Sequence, residues 1–151
     1  MKRYVYLFCL VISLAGLISC SKSSDPTPPP AAVGRWELNR GIASSFPASL
    51  SINGAAIDLY YLNSEGSTLD VYADNTFNEN YRQVGVSDGE GTWDFTNNTL
   101  TLKYNSGGQD AYTYAKTKNI EELTQVTPLT YTLPTSSTST ASGKIQWVYR
   151  K

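Results

Sequence analysis

Two kinds of residue in this chain have the type and placement to do chemistry: the cysteine at position 20, and the carboxylates of Asp88, Glu90 and Asp94. A thiol can be acylated or bridged, but the only other cysteine, Cys9, lies inside an apolar run near the N-terminus. If that run is cleaved, Cys20 has no partner within the chain. The carboxylates have the makings of an acid pair or a calcium site. They sit in or beside the Gly-rich stretch Gly85 to Gly91, however, where acidic side chains usually do no more than solvate a turn. Histidine is absent, so soft-metal sites and histidine-based nucleophilic catalysis are excluded. The expectation is a protein that is not an enzyme and carries no metal or cofactor.

What surrounds Cys20 decides its chemistry. Lys2 and Arg3 precede an apolar run from Tyr4 to Gly16, the layout of a secretory signal and shorter than the roughly 20 residues that cross a bilayer. It ends in Leu17-Ile18-Ser19-Cys20, which resembles the bacterial lipobox in all four positions. That resemblance implies cleavage before Cys20 and attachment of lipid to its thiol. Residues 1–19 are then the signal peptide. Residues 20–32, with four prolines and no aliphatic side chain larger than alanine, form a disordered tether. Cleavage removes Lys2 and Arg3 and leaves 10 basic and 13 acidic side chains, a formal net charge of −3. Nothing in that balance attracts nucleic acid or an anionic surface. The partner expected is a membrane, reached through the acyl chains of a monomer. Ser21 is not the acidic residue that retains some lipoproteins at the inner membrane, so the outer membrane is the expected location, on either face.

From Val33 to Lys151 the chain reads as one antiparallel β domain, with short Thr/Tyr/Val/Ile/Leu runs separated by Asn, Asp, Gly and Ser. Thr92–Thr96 and Thr99–Lys103 flank Asn97-Asn98; a two-residue loop puts Trp93, Phe95, Leu100 and Leu102 on one face. A three-residue loop, Ala73-Asp74-Asn75, pairs Phe77 with Val71 and gives Asn75 the left-handed bulge position. Ile145, Trp147 and Tyr149 share a face of a closing strand. Further strands are expected at Arg35–Asn39, Asn78–Val84, Tyr112–Lys116 and Leu129–Leu133. Asn119–Thr124 reads as a helical turn or a link between strands. Leu50–Ile57 fits a hairpin around Asn53-Gly54 or part of a long loop, and Thr135–Ser142 reads as a mobile loop. So many short strands must hide their edges, either in a closed barrel or in a two-sheet β-sandwich.

Gly34-Arg35-Trp36, Asp74-Asn75-Thr76-Phe77, Gly91-Thr92-Trp93, Thr99–Leu102 and Ile120–Thr124 follow one another in an order that resembles the lipocalin-like domains of Gram-negative lipoproteins. The resemblance implies an all-β, up-and-down barrel of about eight strands. It also implies a cavity for a small hydrophobic ligand, to which Trp36, Phe77, Trp93, Phe95, Tyr112 and Trp147 would contribute. These aromatics are equally the side chains that would fill a small barrel's core. The domain is then a surface-displayed interaction or carbohydrate-contact module with a filled barrel, its exposed tyrosines facing a partner.

Overall fold

The computed structural model describes residues 30–82, 85–136 and 138–151; the segment expected to be a signal peptide, Cys20 and the expected tether up to residue 29 lie outside the described residues. Ten strands follow in order: β1 (Gly34–Ser44), β2 (Ala56–Ile57), β3 (Ser67–Val71), β4 (Thr76–Tyr81), β5 (Gly89–Thr96), β6 (Thr99–Tyr104), β7 (Gln109–Thr117), β8 (Ile120–Gln125), β9 (Leu129–Pro134) and β10 (Thr140–Arg150). A 3-10 turn, Ala48–Leu50, and one short helix, α1 (Leu59–Asn63), lie between β1 and β3. Each strand from β3 to β8 pairs antiparallel with the next, and β1 pairs with both β3 and β10, which in turn pairs with β8. The result is a closed eight-stranded antiparallel barrel with β2 and β9 as additional strands.

The turns form where local chemistry dictates. Trp93 opposes Leu102 and Phe95 opposes Leu100, with Asn97 and Asn98 both at positive φ, as the two-residue loop requires. Val71 opposes Phe77, and Asn75 takes φ 67°. At Asn119–Thr124 the outcome is strand: β8 begins at Ile120 after a tight turn in which Lys118 takes φ 56°. Thr135 donates its N–H to Ser139 O at 2.9 Å and β10 starts at Thr140, so the expected Ser/Thr loop does link the last two strands but ends three residues earlier, residues 140–142 being strand.

The barrel is not uniform along its length. Leu38 opposes Tyr149 but Arg40 opposes Val148, a β-bulge at Asn39 that bends β1 and inverts its phase. Trp36 points inward before the bulge, and Gly41 and Ala43 after it. Beyond that point β3 gives way to β2 on one side of the β1–β10 pair, and β8 gives way to β9 on the other. A four-stranded extension, β2-β1-β10-β9, thus projects from one end of the barrel.

Each part has its own core. Trp36, Leu69, Val71, Phe77, Trp93, Leu100, Leu102, Tyr112, Leu123 and Tyr149 fill the barrel. Ala43, Phe46, Leu59, Leu133 and Ile145 fill the extension, and Leu38 and Trp147 pack against both clusters. Leu50–Ile57 does not close on itself as a hairpin; Ala56 and Ile57 pair with Ile42 and Gly41 of β1. The preference is for burial, because Leu50, Ile52 and Ile57 all pack on the extension's core.

The free edge of β9 is guarded by proline. Since the Thr135 N–H bonds toward β10, the odd-numbered residues of β9 pair with β10 and the even-numbered ones face outward. Pro128 and Pro134 fall at even positions and have no N–H, which leaves Thr130 and Thr132 as outward donors.

Candidate functional site

The six aromatic residues singled out from the sequence are structural anchors in the fold. Trp36, Phe77, Trp93 and Tyr112 lie in the barrel core, with Phe95 packed partly buried against them. The Trp36 indole N–H donates to Ala32 O at 2.8 Å, and the Trp93 indole donates to Tyr72 O at 2.8 Å. Lys151 Nζ stands 5.1 Å from the centroid of the Trp36 ring. Phe77 meets Tyr104 edge-on, and Tyr112 meets Tyr149 in the same way. Trp147 sits apart, between the two cores, and donates its indole N–H to the Tyr131 hydroxyl at 2.9 Å. A void able to hold water would leave accessible surface on the side chains around it. Trp36, Leu69, Leu100, Leu102, Leu123 and Tyr149 have none, so the barrel is filled where they meet.

The residue that sequence reasoning missed is Glu79, whose side chain is 0% exposed inside the barrel. The signal was available, since Phe77 faces inward and strand alternation carries Glu79 and Tyr81 inward with it. Tyr149 donates to Glu79 Oε1 at 2.6 Å, Tyr104 donates to Oε2 at 2.8 Å, and Ser67 Oγ lies 3.3 Å from Oε1. Among the described residues no ion pair reaches this carboxylate; hydroxyls alone compensate its burial. The phenols pay in acidity. Burial, followed by the negative charge of Glu79, pushes the Tyr81 and Tyr104 hydroxyls far above the ordinary tyrosine value. Burial likewise raises Tyr112, with Glu79 next, and Tyr149, with Tyr112 and Glu79 next.

Above this cluster the barrel wall opens into a cleft. It lies where β1 has lost β3 and not yet gained β2, and its volume is about 90 Å³. Glu37, Leu38, Asn39, Asp58, Leu59, Tyr60, Glu65, Gly66, Ser67 and Arg82 line it. α1 forms one wall: Asp58 caps it by accepting the Tyr61 N–H at 3.0 Å, and Ser64 ends it in a left-handed conformation. Tyr60 and Tyr61 are 65% and 89% exposed on this helix. Glu65 accepts from the Tyr131 hydroxyl at 2.6 Å, and burial followed by that bond raises Tyr131. Ser67 belongs both to the cleft and to the Glu79 cluster.

The acidic trio has local structural work. Asp88 accepts the Tyr81 N–H at 2.9 Å, Glu90 accepts from Asn105 at 3.3 Å, and Asp94 accepts from Thr96 at 3.1 Å. Among the described residues no three His, Cys, Asp or Glu side chains group closely enough to hold a metal ion.

On the barrel's outer face Arg40, just past the bulge, forks onto Glu122 of β8 with contacts of 2.7 and 3.0 Å, and Arg150 reaches the same carboxylate at 2.9 Å. The Arg40 hydrogen bond, against the opposing effect of burial and with help from Arg150, holds the Glu122 carboxyl at about 2, below its ordinary 4.5. A depressed carboxyl stabilises the fold above its unfolded value, and that contribution is lost as pH falls toward 2. Glu122→Gln should therefore lower stability at pH 7 by about 1 to 2 kcal/mol, discounted for partial exposure, and by much less at pH 2.5, measured by urea unfolding. Equal losses at the two pH values would show that the ion pair is not the source. Comparisons with protein-family models, with curated proteins and with solved structures return no match to this chain.

Proposed function

We propose that the protein is a lipid-anchored, non-catalytic contact module of the outer membrane. Its filled barrel serves as a stand for a carbohydrate-contact cleft beside α1. The observation that carries this reading is the pairing of an exposed Tyr60 ring with a cleft whose other walls include Glu37, Asn39, Asp58, Glu65 and Arg82. A sugar offers apolar C–H faces to an aromatic ring and a rim of hydroxyls to planar polar groups. The chain's entry point supports the same reading. Gly34 opposes Val71, at the far end of β3 from Ser67 and α1, so the chain enters the barrel at the end remote from the cleft and a tether to Cys20 leaves the cleft unobstructed.

A second reading, capture of a small hydrophobic ligand, draws on a different place. Leu50, Ile52, Leu133, Pro134 and Thr135 line an open groove of about 320 Å³ on the extension. Two measurements separate these. Titration with soluble glycans, followed by the chemical shifts of the tyrosine rings, should perturb Tyr60 and Tyr61, and Tyr60→Ala should weaken that binding at least ~10-fold, the effect of losing about 1.4 kcal/mol of contact. Native mass spectrometry of the gently purified protein should show it free of apolar ligand. A co-purifying apolar molecule displaced by Leu133→Asp, with no glycan response, would overturn the first reading in favour of the second.

A further inference from the structure

A helix of one turn does not hold itself in water, because too few hydrogen bonds close to offset the ordering of its backbone. α1 has five residues, and of its described side chains Leu59 is buried while Tyr60 and Tyr61 stand in solvent. Its position must therefore come from ties to the rest of the chain. Leu59 makes one of them. Its methyl groups lie over Gly41, where an added Cβ would meet them at 3.1 and 3.3 Å, and the side chain belongs to the extension's core with Phe46, Leu133 and Ile145. The Tyr131 hydroxyl of β9 makes another by donating to Glu65 Oε2 at 2.6 Å. Glu65 in turn is fixed to the helix, since its N–H bonds Leu59 O at 3.3 Å and the preceding Ser64 N–H bonds Tyr60 O at 2.9 Å. Both ties run to the extension.

The facing walls of the cleft belong to the barrel. Glu37 pairs with Thr68 of β3, Ser67 opens β3, and Arg82 donates its N–H to Gly66 O at 2.8 Å. The cleft thus spans the joint between the two cores, and Asn39, the bulge residue, lines it as well. Tyr131 stands at the same joint, because its oxygen accepts the indole N–H of Trp147, the ring packed against both cores. We infer that Tyr131 is a positioning residue for the cleft: its hydroxyl holds the α1 wall to the extension, so the opening between Tyr60 and β1 follows the angle between extension and barrel. What the cleft binds is taken from the carbohydrate reading, on which this role rests; the tie itself needs no ligand. Binding weakens in proportion to the time α1 spends displaced.

Hydrogen exchange of the intact, ligand-free protein tests the tie. In wild type the bonded amides of Tyr61, Ser64 and Glu65 should be protected. In Tyr131→Phe they should exchange at least ~5-fold faster, the effect of losing one hydrogen bond to a carboxylate. Glu65→Ala, which leaves the Trp147–Tyr131 bond in place, should give at least that acceleration while the amides of β5 and β6 keep their protection. Adding Tyr131→Phe to Glu65→Ala should then accelerate α1 no further. Glu65→Gln keeps an oxygen for the hydroxyl to bond and should restore most of the protection. A soluble glycan that shifts the Tyr60 ring of wild type should bind Tyr131→Phe at least ~3-fold more weakly. The inference is overturned by α1 amides that are unprotected in wild type, unchanged in Tyr131→Phe, or accelerated in Glu65→Ala only together with β5 and β6. A wild type whose α1 exchange depends on Tyr131 but which answers to no glycan would overturn the carbohydrate reading and leave the positioning role standing.

Discussion

Trp93→Ala should destabilise the protein by about 3 to 5 kcal/mol, the range for truncating a large buried aromatic. Trp93 is 6% exposed, it sits among Leu100, Leu102 and Phe77, and its indole satisfies the Tyr72 carbonyl at the β3–β4 turn. Alanine leaves a cavity and removes one of the two N–H groups that the Tyr72 carbonyl accepts, the other coming from Asn75. Stability for a domain of this size is about 5 to 15 kcal/mol, so the variant keeps a reduced folded population or none. Urea unfolding measures the change. A loss under about 0.5 kcal/mol would mean that the ring is exposed and the β5–β6 phase is shifted.

That prediction follows from the sequence because the hairpin at Asn97-Asn98 is determined locally. Two residues tolerant of positive φ sit between two alternating strands, and one register alone puts all four apolar side chains together. The same holds for Asn75 and for the alternation of Ile145, Trp147 and Tyr149. Strand number and the need to cover edges left a closed barrel or a two-sheet sandwich, and only the resemblance implied the eight-stranded barrel that the structure shows.

What local chemistry does not determine was not legible. The bulge at Asn39 has no signature in Glu37-Leu38-Asn39-Arg40; it falls where β1 passes from pairing with β3 to pairing with β2. The extension's core is assembled by contacts between Phe46, Leu59, Leu133 and Ile145, residues far apart in the chain. Glu79 was within reach by phase, since it falls between Phe77 and Tyr81 on one strand face. A carboxylate reads as solvent-facing, however, until its hydroxyl partners from three other strands are known. The cleft depends on the same split of β1 that hides the bulge, so Tyr60 and Tyr61 could be named only as tyrosines.

Gly143→Val tests whether the extension is a separate energetic unit. The Phe46 ring packs directly over Gly143, so close that any Cβ there collides with its ring atoms. Gly143 lies on β10 opposite Tyr131 of β9, next to Lys144, where the pairing with β1 ends, and these pairings hold its backbone in place. Valine must therefore expel Phe46, which costs about 2 kcal/mol of apolar burial, and strain of about 1 to 3 kcal/mol adds to it. The expected loss is about 3 to 5 kcal/mol. If the two cores are coupled only through Leu38 and Trp147, the loss falls on the extension first. Hydrogen exchange should then accelerate in β2 and β9 while the amides of β5 and β6 keep their protection. Adding Phe46→Ala to Gly143→Val should cost far less than the sum of the two single changes, because valine has already displaced the ring. Additive losses, or uniform loss of protection across the barrel, would mean that barrel and extension unfold as one cooperative body.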